Sequence, residues 1–181
     1  MENAKLDTQM PLEKPLRSVL DERQIPYILC SVDSKDGKKS VRETTIPKGW
    51  MQWTYDECVK YNQYKADPKC QIMNINLDKG NMMIVDIDGG NIESLTEKYG
   101  NSDITYSINR KMPHLWFEKQ PDDPYTTRTK VNGTDVDYLY KNVFESVNSV
   151  ITNHDGFFDE FDWDDYIGKP IQKEKKTNTS K

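Results

Sequence analysis

The sequence predicts a single α+β domain. The middle of the 181-residue chain holds several short apolar runs separated by turn residues, which is the pattern of β-strands. Two segments nearer the N-terminus carry helix signals instead: a helical spacing of apolar residues and a capping sequence. We expect a mobile polar stretch over residues 1–10, one folded domain over 11–168 and a disordered polar tail over 169–181.

The first elements predicted along the chain are a helix and a β-hairpin. Apolar residues recur at helical spacing over residues 12–24, and the run IPYILCSV at 25–32 is typical of a strand. Asp36-Gly37 is a favoured turn pair, so the segment SVRETTI at 40–46 is expected to return as the second strand of the hairpin.

A second helix is expected after Thr54. Thr54 and Glu57 form a capping box, in which each side chain accepts a hydrogen bond from the backbone amide of the other residue. This helix should end before Pro68. The remaining predicted elements are strands at 70–77, 81–88, 104–108, 114–118 and 136–140 and a short helix at 91–99.

Composition limits the classes of function. Lys and Arg number 25 against 30 Asp and Glu, a net charge of −5, which argues against a general polyanion binder because non-specific affinity depends on phosphates neutralised. Residues 107–130 nevertheless carry five basic against three acidic side chains, so a local patch is possible. The chain has no long apolar run, no secretory signal and no CxxC pair. We therefore expect an intracellular, cytoplasmic protein that is neither secreted nor bound to a membrane.

The sharpest motif is NMMIVDIDGG at residues 81–90. Because alternate side chains of a strand share one face, Asp86 and Asp88 are expected to project together. Two adjacent carboxylates repel each other unless a cation lies between them, and hard oxygen ligands suit Mg²⁺ or Mn²⁺. Gly89 and Gly90 then allow the backbone to turn sharply away. The competing interpretation is a strand that simply runs into an acidic turn.

A second motif, TYSINRKMPHLWF, spans residues 105–117 as two strands around a basic turn. A serine and a histidine that face each other across the hairpin form a phosphate clamp, with two cations beside them in the turn. The residues concerned are Ser107, Arg110, Lys111 and His114. Taken alone, this stretch favours the simpler interpretation of a histidine whose hydrogen bonds are satisfied within a sheet.

A third motif places Asp135 and Asp137 at a spacing of two, at the start of an apolar run. An exposed strand entry explains such a pair more often than chemistry does. Just upstream, Arg128 and Lys130 are either phosphate contacts or solvated side chains.

The order and spacing of these three motifs resemble the archaeo-eukaryotic primase superfamily. The motif pattern most resembles the primase-polymerase domains at the N-terminus of primase-helicases from large DNA viruses. Asp86 and Asp88 match the first motif of that family, His114 matches the second, and Asp137 after Val136 matches the third better than Asp135 does. The resemblance covers roughly residues 25–145, and it departs from the family at Met112, where a small residue is usual.

This resemblance implies an RRM-like mixed or antiparallel sheet with flanking helices, beside a small N-terminal α/β unit. It also implies metal-dependent nucleotidyl transfer from a nucleoside triphosphate to a primer 3′-hydroxyl on a single-stranded DNA template. A helicase or another replication protein would be the partner, at a viral replication site in the host cell. The residues implied are Asp86, Asp88 and Asp137 for two Mg²⁺ or Mn²⁺ ions, and Ser107, Arg110, Lys111, His114, Arg128 and Lys130 for phosphates.

Two alternatives remain. A primase-like fold could retain only nucleotide or nucleic-acid binding, without catalysis. A phosphatase of the haloacid dehalogenase type also begins with an apolar strand and DxDG, and its first aspartate attacks phosphorus. That motif normally lies close to the N-terminus and is followed by threonine, whereas here it begins at Asp86 and Gly90 follows Gly89.

Overall fold

The computed structural model describes residues 13–65, 70–88, 102–109, 112–119, 128–131 and 134–161. These residues form two helices, two short 3₁₀ turns and two antiparallel sheets, so the predicted α+β class is confirmed. The predicted helix at 91–99, both ends of the chain, and the positions Arg110 and Lys111 lie outside the described residues.

The helices begin where the sequence places a start signal. The first helix, α1 (Leu16–Glu22), is shorter than predicted because residues 13–15 are extended and Pro15 is its N-cap. The second helix, α2 (Tyr55–Tyr64), has the predicted capping box, with Thr54 Oγ1 accepting from the Glu57 amide at 3.2 Å and Glu57 accepting from the Thr54 amide at 3.2 Å.

In chain order, the described strands are β1 (Glu13–Pro15), β2 (Tyr27–Lys35), β3 (Lys38–Val41), β4 (Cys70–Asn76), β5 (Met82–Asp88), β6 (Asp103–Tyr106), β7 (Pro113–Glu118), β8 (Arg128–Val131), β9 (Thr134–Leu139), β10 (Asn142–Ser146) and β11 (Val150–Thr152). A seven-stranded sheet has the order β1-β11-β6-β7-β5-β9-β8, and a four-stranded sheet has the order β10-β4-β2-β3. The strand pairings within both sheets are antiparallel.

The β2–β3 hairpin turns at the predicted pair. Asp36 and Gly37 both have positive φ, 53° and 74°, which is the backbone that a two-residue type I′ turn requires. The returning strand ends at Val41 instead of continuing to residue 46, because residues 43–45 form a 3₁₀ turn.

Between β4 and β5, the chain crosses from the four-stranded sheet to the seven-stranded sheet. Gly80 occupies this connection, and a Cβ there would lie 2.7 Å from Ile25 Cγ2 and 3.1 Å from the Asn76 carbonyl oxygen. Glycine at this position therefore allows the connection to pass close to Ile25, just before β2, and to the end of β4.

The main core lies where the two sheets pack against each other, and α1 closes one side of it. Its buried side chains come from both sheets, for example Leu29, Met73 and Ile75 from the four-stranded sheet and Ile84, Trp116 and Ile151 from the seven-stranded sheet. A second cluster covers the opposite face of the seven-stranded sheet and comprises Met83, Val85, Ile87, Leu115, Phe117, Val136, Tyr138 and Phe161. Because both faces of β5 are buried, its sequence is apolar almost throughout until Asp86.

Neither described helix has the length and apolar character needed to cross a bilayer.

Candidate functional site

A row of polar positions crosses five adjacent strands of the seven-stranded sheet. The direct partners along this row are Thr105, His114, Asp86, Asp137 and Arg128, on β6, β7, β5, β9 and β8. The three predicted motifs are thus brought into one line, although Arg128 lies 42 residues and Asp137 51 residues after Asp86 in the chain.

Four carboxylates share one face of the sheet, two of them in this row and two in the next row along β5 and β9. Asp86 is opposite Asp137, and Asp88 is opposite Asp135, so each acid of β5 has an acid of β9 as its direct neighbour. Directly opposed side chains of an antiparallel pair project to the same side, with Cβ atoms roughly 5 Å apart. Val85, Ile87 and Val136 project to the other side, into the second core cluster. The face therefore brings four carboxyl groups together at the end of β5, where Asp88 is exposed and the other three acids are half-buried.

His114 lies beside these acids and is only 5% exposed. Its Nε2 is 3.2 Å from Asp86 Oδ1, and its Nδ1 is 2.5 Å from Glu145 Oε1. Burial by itself lowers the pKa of His114, but hydrogen bonds and charge from Asp86 and Glu145 outweigh burial and raise it to about 10. At neutral pH the ring is therefore an imidazolium ion that donates to one carboxylate on each side.

Glu145 is a site residue that sequence reasoning missed. It lies on β10 in the four-stranded sheet and is fully buried, so it reaches His114 from the facing sheet. Thr105 Oγ1 donates to Glu145 Oε1 at 2.7 Å, and Trp116 Nε1 donates to Thr105 Oγ1 at 2.8 Å. The alternation of NVFES at 142–146 puts Val143 and Glu145 on one strand face, but five residues are too few for this period to be recognised in the sequence.

A cavity of about 310 Å³ opens next to this row. Its lining residues come from β5, from β7, from the loop between β6 and β7 and from β10, and they are Asp86, Asp88, Ser107, Ile108, Asn109, Met112, His114 and Phe144. The Met112 amide donates to Ser107 Oγ at 3.1 Å, and the Ser107 amide donates to the Met112 carbonyl at 2.8 Å. These two bonds hold the loop at the cavity wall, while the Ser107 hydroxyl keeps its own proton to donate.

The predicted site residues thus fall into three groups. Asp86, Asp88, Ser107 and His114 line one cavity, and Asp137 is the direct neighbour of Asp86 on the next strand. The backbone of Arg128 and Lys130 is in β8, opposite Asp137 and Asp135. The predictions for Arg110 and Lys111 stay untested, because these residues lie outside the described ranges.

The donor set fits a hard divalent cation. Both ring nitrogens of His114 face carboxylates, so the groups left to coordinate an ion at this face are carboxylate oxygens, which suit Mg²⁺ or Mn²⁺. In the described part of the chain, no three acidic, histidine or cysteine side chains surround a single point closely enough to hold an ion. A bound ion would therefore draw the carboxylates together.

A second cavity, of about 440 Å³, lies between the two helices and β2. Its polar side chains pair with one another: the hydroxyls of Tyr27 and Tyr55 both donate to Asp21 Oδ1 at 2.9 Å, and Arg17 Nε donates to the Tyr27 hydroxyl at 3.0 Å. Burial and the bond to Asp21 raise the pKa of Tyr55 to about 12, so this hydroxyl stays protonated as a donor. This network ties the helices to the sheet.

Comparisons with known proteins do not assign a family to this chain. No family model matches the chain, and a search of the curated proteins found no match either.

Proposed function

We propose that this chain is a primase-polymerase-like domain that catalyses metal-dependent nucleotidyl transfer to a primer 3′-hydroxyl on a DNA template. The observation that carries the proposal is the register of the polar row. Asp86, His114 and Asp137 come from three separate motifs, and they are direct neighbours on three adjacent strands.

The strand order supports the same family. The central strands are arranged β9-β5-β7-β6, so the first strand of this unit lies between the third and the last. This is the order of a βαββαβ unit, the framework of an RRM-like sheet. The four-stranded sheet has α2 packed on its outer face, which is consistent with the small N-terminal α/β unit that the resemblance implies.

Each site residue has a distinct role in the proposed reaction. Asp86 and Asp137 would hold one divalent cation between β5 and β9, and Asp88 would complete a two-ion site at the strand end. When bound, two such ions supply activation of the primer 3′-hydroxyl and neutralisation of the leaving pyrophosphate. His114 keeps a positive charge at the inner wall of the cavity, and the Ser107 hydroxyl donates to phosphate oxygens from the loop.

Template-directed primer extension with purified protein tests this function. We expect extension with ribo- or deoxynucleotides in Mg²⁺ or Mn²⁺ and its loss in Asp86→Asn, while Glu43→Gln, an exposed acid on a 3₁₀ turn, serves as the matched control. Folded protein that extends no primer with either sugar in either metal would contradict the catalytic proposal.

The two alternatives give different results in the same preparation. A binding module without catalysis would bind nucleoside triphosphate with Mn²⁺ but extend nothing. A phosphatase would hydrolyse a generic phosphate ester and lose that activity in Asp86→Asn.

A further inference from the structure

The β2–β3 hairpin forms an exposed basic ribbon at the edge of the four-stranded sheet. Residues 33–40 are all exposed, and β3 is the edge strand. The basic ribbon is defined here by Lys35, Lys38 and Lys39. All three lysines are exposed, so burial in a core does not account for them.

The charges of the ribbon are not balanced within it. The nearby acid Asp33 is ion-paired with Arg42, which leaves Asp36 at the turn against three lysines. Within the described part of the chain, none of the three lysines forms an ion pair. Lys35 and Lys38 are direct cross-strand partners, and like charges in that arrangement destabilise a hairpin. An anion placed between them would remove this repulsion.

The ribbon is fastened to the rim of the candidate site. Asn109 lines the 310 Å³ cavity, and its side-chain amide bonds to both backbone groups of Lys39. Asn109 Nδ2 donates to the Lys39 carbonyl at 2.8 Å, and the Lys39 amide donates to Asn109 Oδ1 at 3.1 Å. These bonds join the edge strand of one sheet to the loop of the other, so the lysines stand next to the cavity that would hold the nucleotide.

We propose that the basic ribbon binds the phosphate backbone of the single-stranded nucleic acid that enters the site, independently of its base sequence. This inference rests on the proposed function and adds to it the route of the strand. It also reconciles a net charge of −5 with a polyanionic substrate, because the positive charge needed is local. Up to three phosphate contacts by the ribbon correspond to a salt-dependence slope of about 2 for a single strand.

Fluorescence anisotropy with a labelled, mixed-sequence single-stranded oligonucleotide tests the ribbon across a range of KCl concentrations. The variant replaces Lys35, Lys38 and Lys39 by glutamine. Its control carries the same change in charge at three other exposed positions, Lys48→Gln, Lys60→Gln and Lys141→Gln. We expect the ribbon variant to lose affinity by about tenfold or more at low salt, with a slope lower by about 2, and the control to stay within about twofold of the parent protein.

Equal affinity in the ribbon and control variants would overturn the inference, and so would a parent protein that binds no oligonucleotide. Titration of a nucleoside triphosphate with Mn²⁺ and primer extension, run on the same proteins, separate this failure from that of the proposed function. Oligonucleotide binding that depends on the ribbon, without primer extension, supports the role of the ribbon and contradicts catalysis. Extension with no dependence on the ribbon contradicts the ribbon alone.

Discussion

His114 is held between two carboxylates that come from different sheets. Asp86 belongs to the neighbouring strand and Glu145 to the facing sheet, and the ring contacts both through its two nitrogens. The histidine is therefore satisfied inside the fold and also lines the candidate cavity. The structure agrees with the simpler interpretation, a histidine whose hydrogen bonds are satisfied within the fold, and contact between His114 and phosphate stays a prediction.

Replacing Glu145 by glutamine should destabilise the protein strongly. The change removes one charge of a buried pair but keeps the shape of the side chain, so the imidazolium loses its fully buried counter-charge. Loss of one partner of a buried ion pair costs about 3–5 kcal/mol, and urea unfolding at pH 7 measures it. The exposed control Glu43→Gln should stay within about 0.5 kcal/mol of the parent. A similarly small effect of Glu145→Gln would contradict the buried pair.

The two histidines of the chain should titrate on opposite sides of the ordinary value. Hydrogen bonds to Asp86 and Glu145 overcome burial and raise the pKa of His114 to about 10, whereas burial lowers the pKa of His154 below its usual 6.5. In ¹⁵N NMR spectra we expect one ring to remain protonated at pH 8 and the other to be neutral at pH 7. Two rings that both titrate near pH 6.5 would contradict this assignment.

The same pKa sets the sign of a stability effect. His114 binds its proton more tightly in the folded chain than in the unfolded chain, so its contribution is complete below about pH 6.5. That contribution is lost as the pH rises through about 10. The pairing therefore favours the folded state throughout the acidic to neutral range as far as this group is concerned.

At the scale of the elements, the register of β9 against β5 distinguishes the two candidate acids Asp137 and Asp135. Asp137 is opposite Asp86 in the row that contains His114, while Asp135 is opposite Asp88 nearer the end of β5. The choice between Asp137 and Asp135, open from the sequence, becomes a question about two neighbouring rows of one sheet.

Asparagine at position 137 should therefore impair the site more than asparagine at position 135. Asp137 would hold the ion together with Asp86, whose carboxylate is kept in position by the buried His114. Loss of Asp137 should therefore weaken Mn²⁺-dependent nucleotide binding by about 100-fold or more. Asp135→Asn removes the same charge from the outer row and should cost less than about tenfold. Calorimetric titration of both variants measures the difference, and equal losses would refute the ranking.

The elements with strong local signals were predicted, and those defined by distant partners were not. β5, β7 and β9 carry apolar periods, and α2 carries a capping box, all of which act within a few residues. β1, β10 and β11 have three to five residues each, and each exists only because it pairs with a segment remote in sequence. Short strands of this kind have no local period long enough to recognise.

At the scale of the whole molecule, the site forms where two sheets meet. The seven-stranded sheet supplies Asp86 and His114, the four-stranded sheet supplies Glu145 and Phe144, and the Asn109 side chain bonds the loop of the first to the edge of the second. The cavity and the basic ribbon therefore depend on the packing between the sheets as much as on either sheet alone.

By itself, the sequence determined the α+β class, the strand that carries Asp86 and Asp88, and the shared face of those two carboxylates, because a period of two is a property of the strand itself. Only the tertiary structure decided that Asp137 is the neighbour of Asp86 and that a buried Glu145 holds His114 in its charged form. Register across strands and contact between sheets depend on residues far apart in the chain. Glutamate is almost always exposed unless it is paired, so nothing in the local sequence distinguishes Glu145 from a surface residue until the facing sheet supplies its partner.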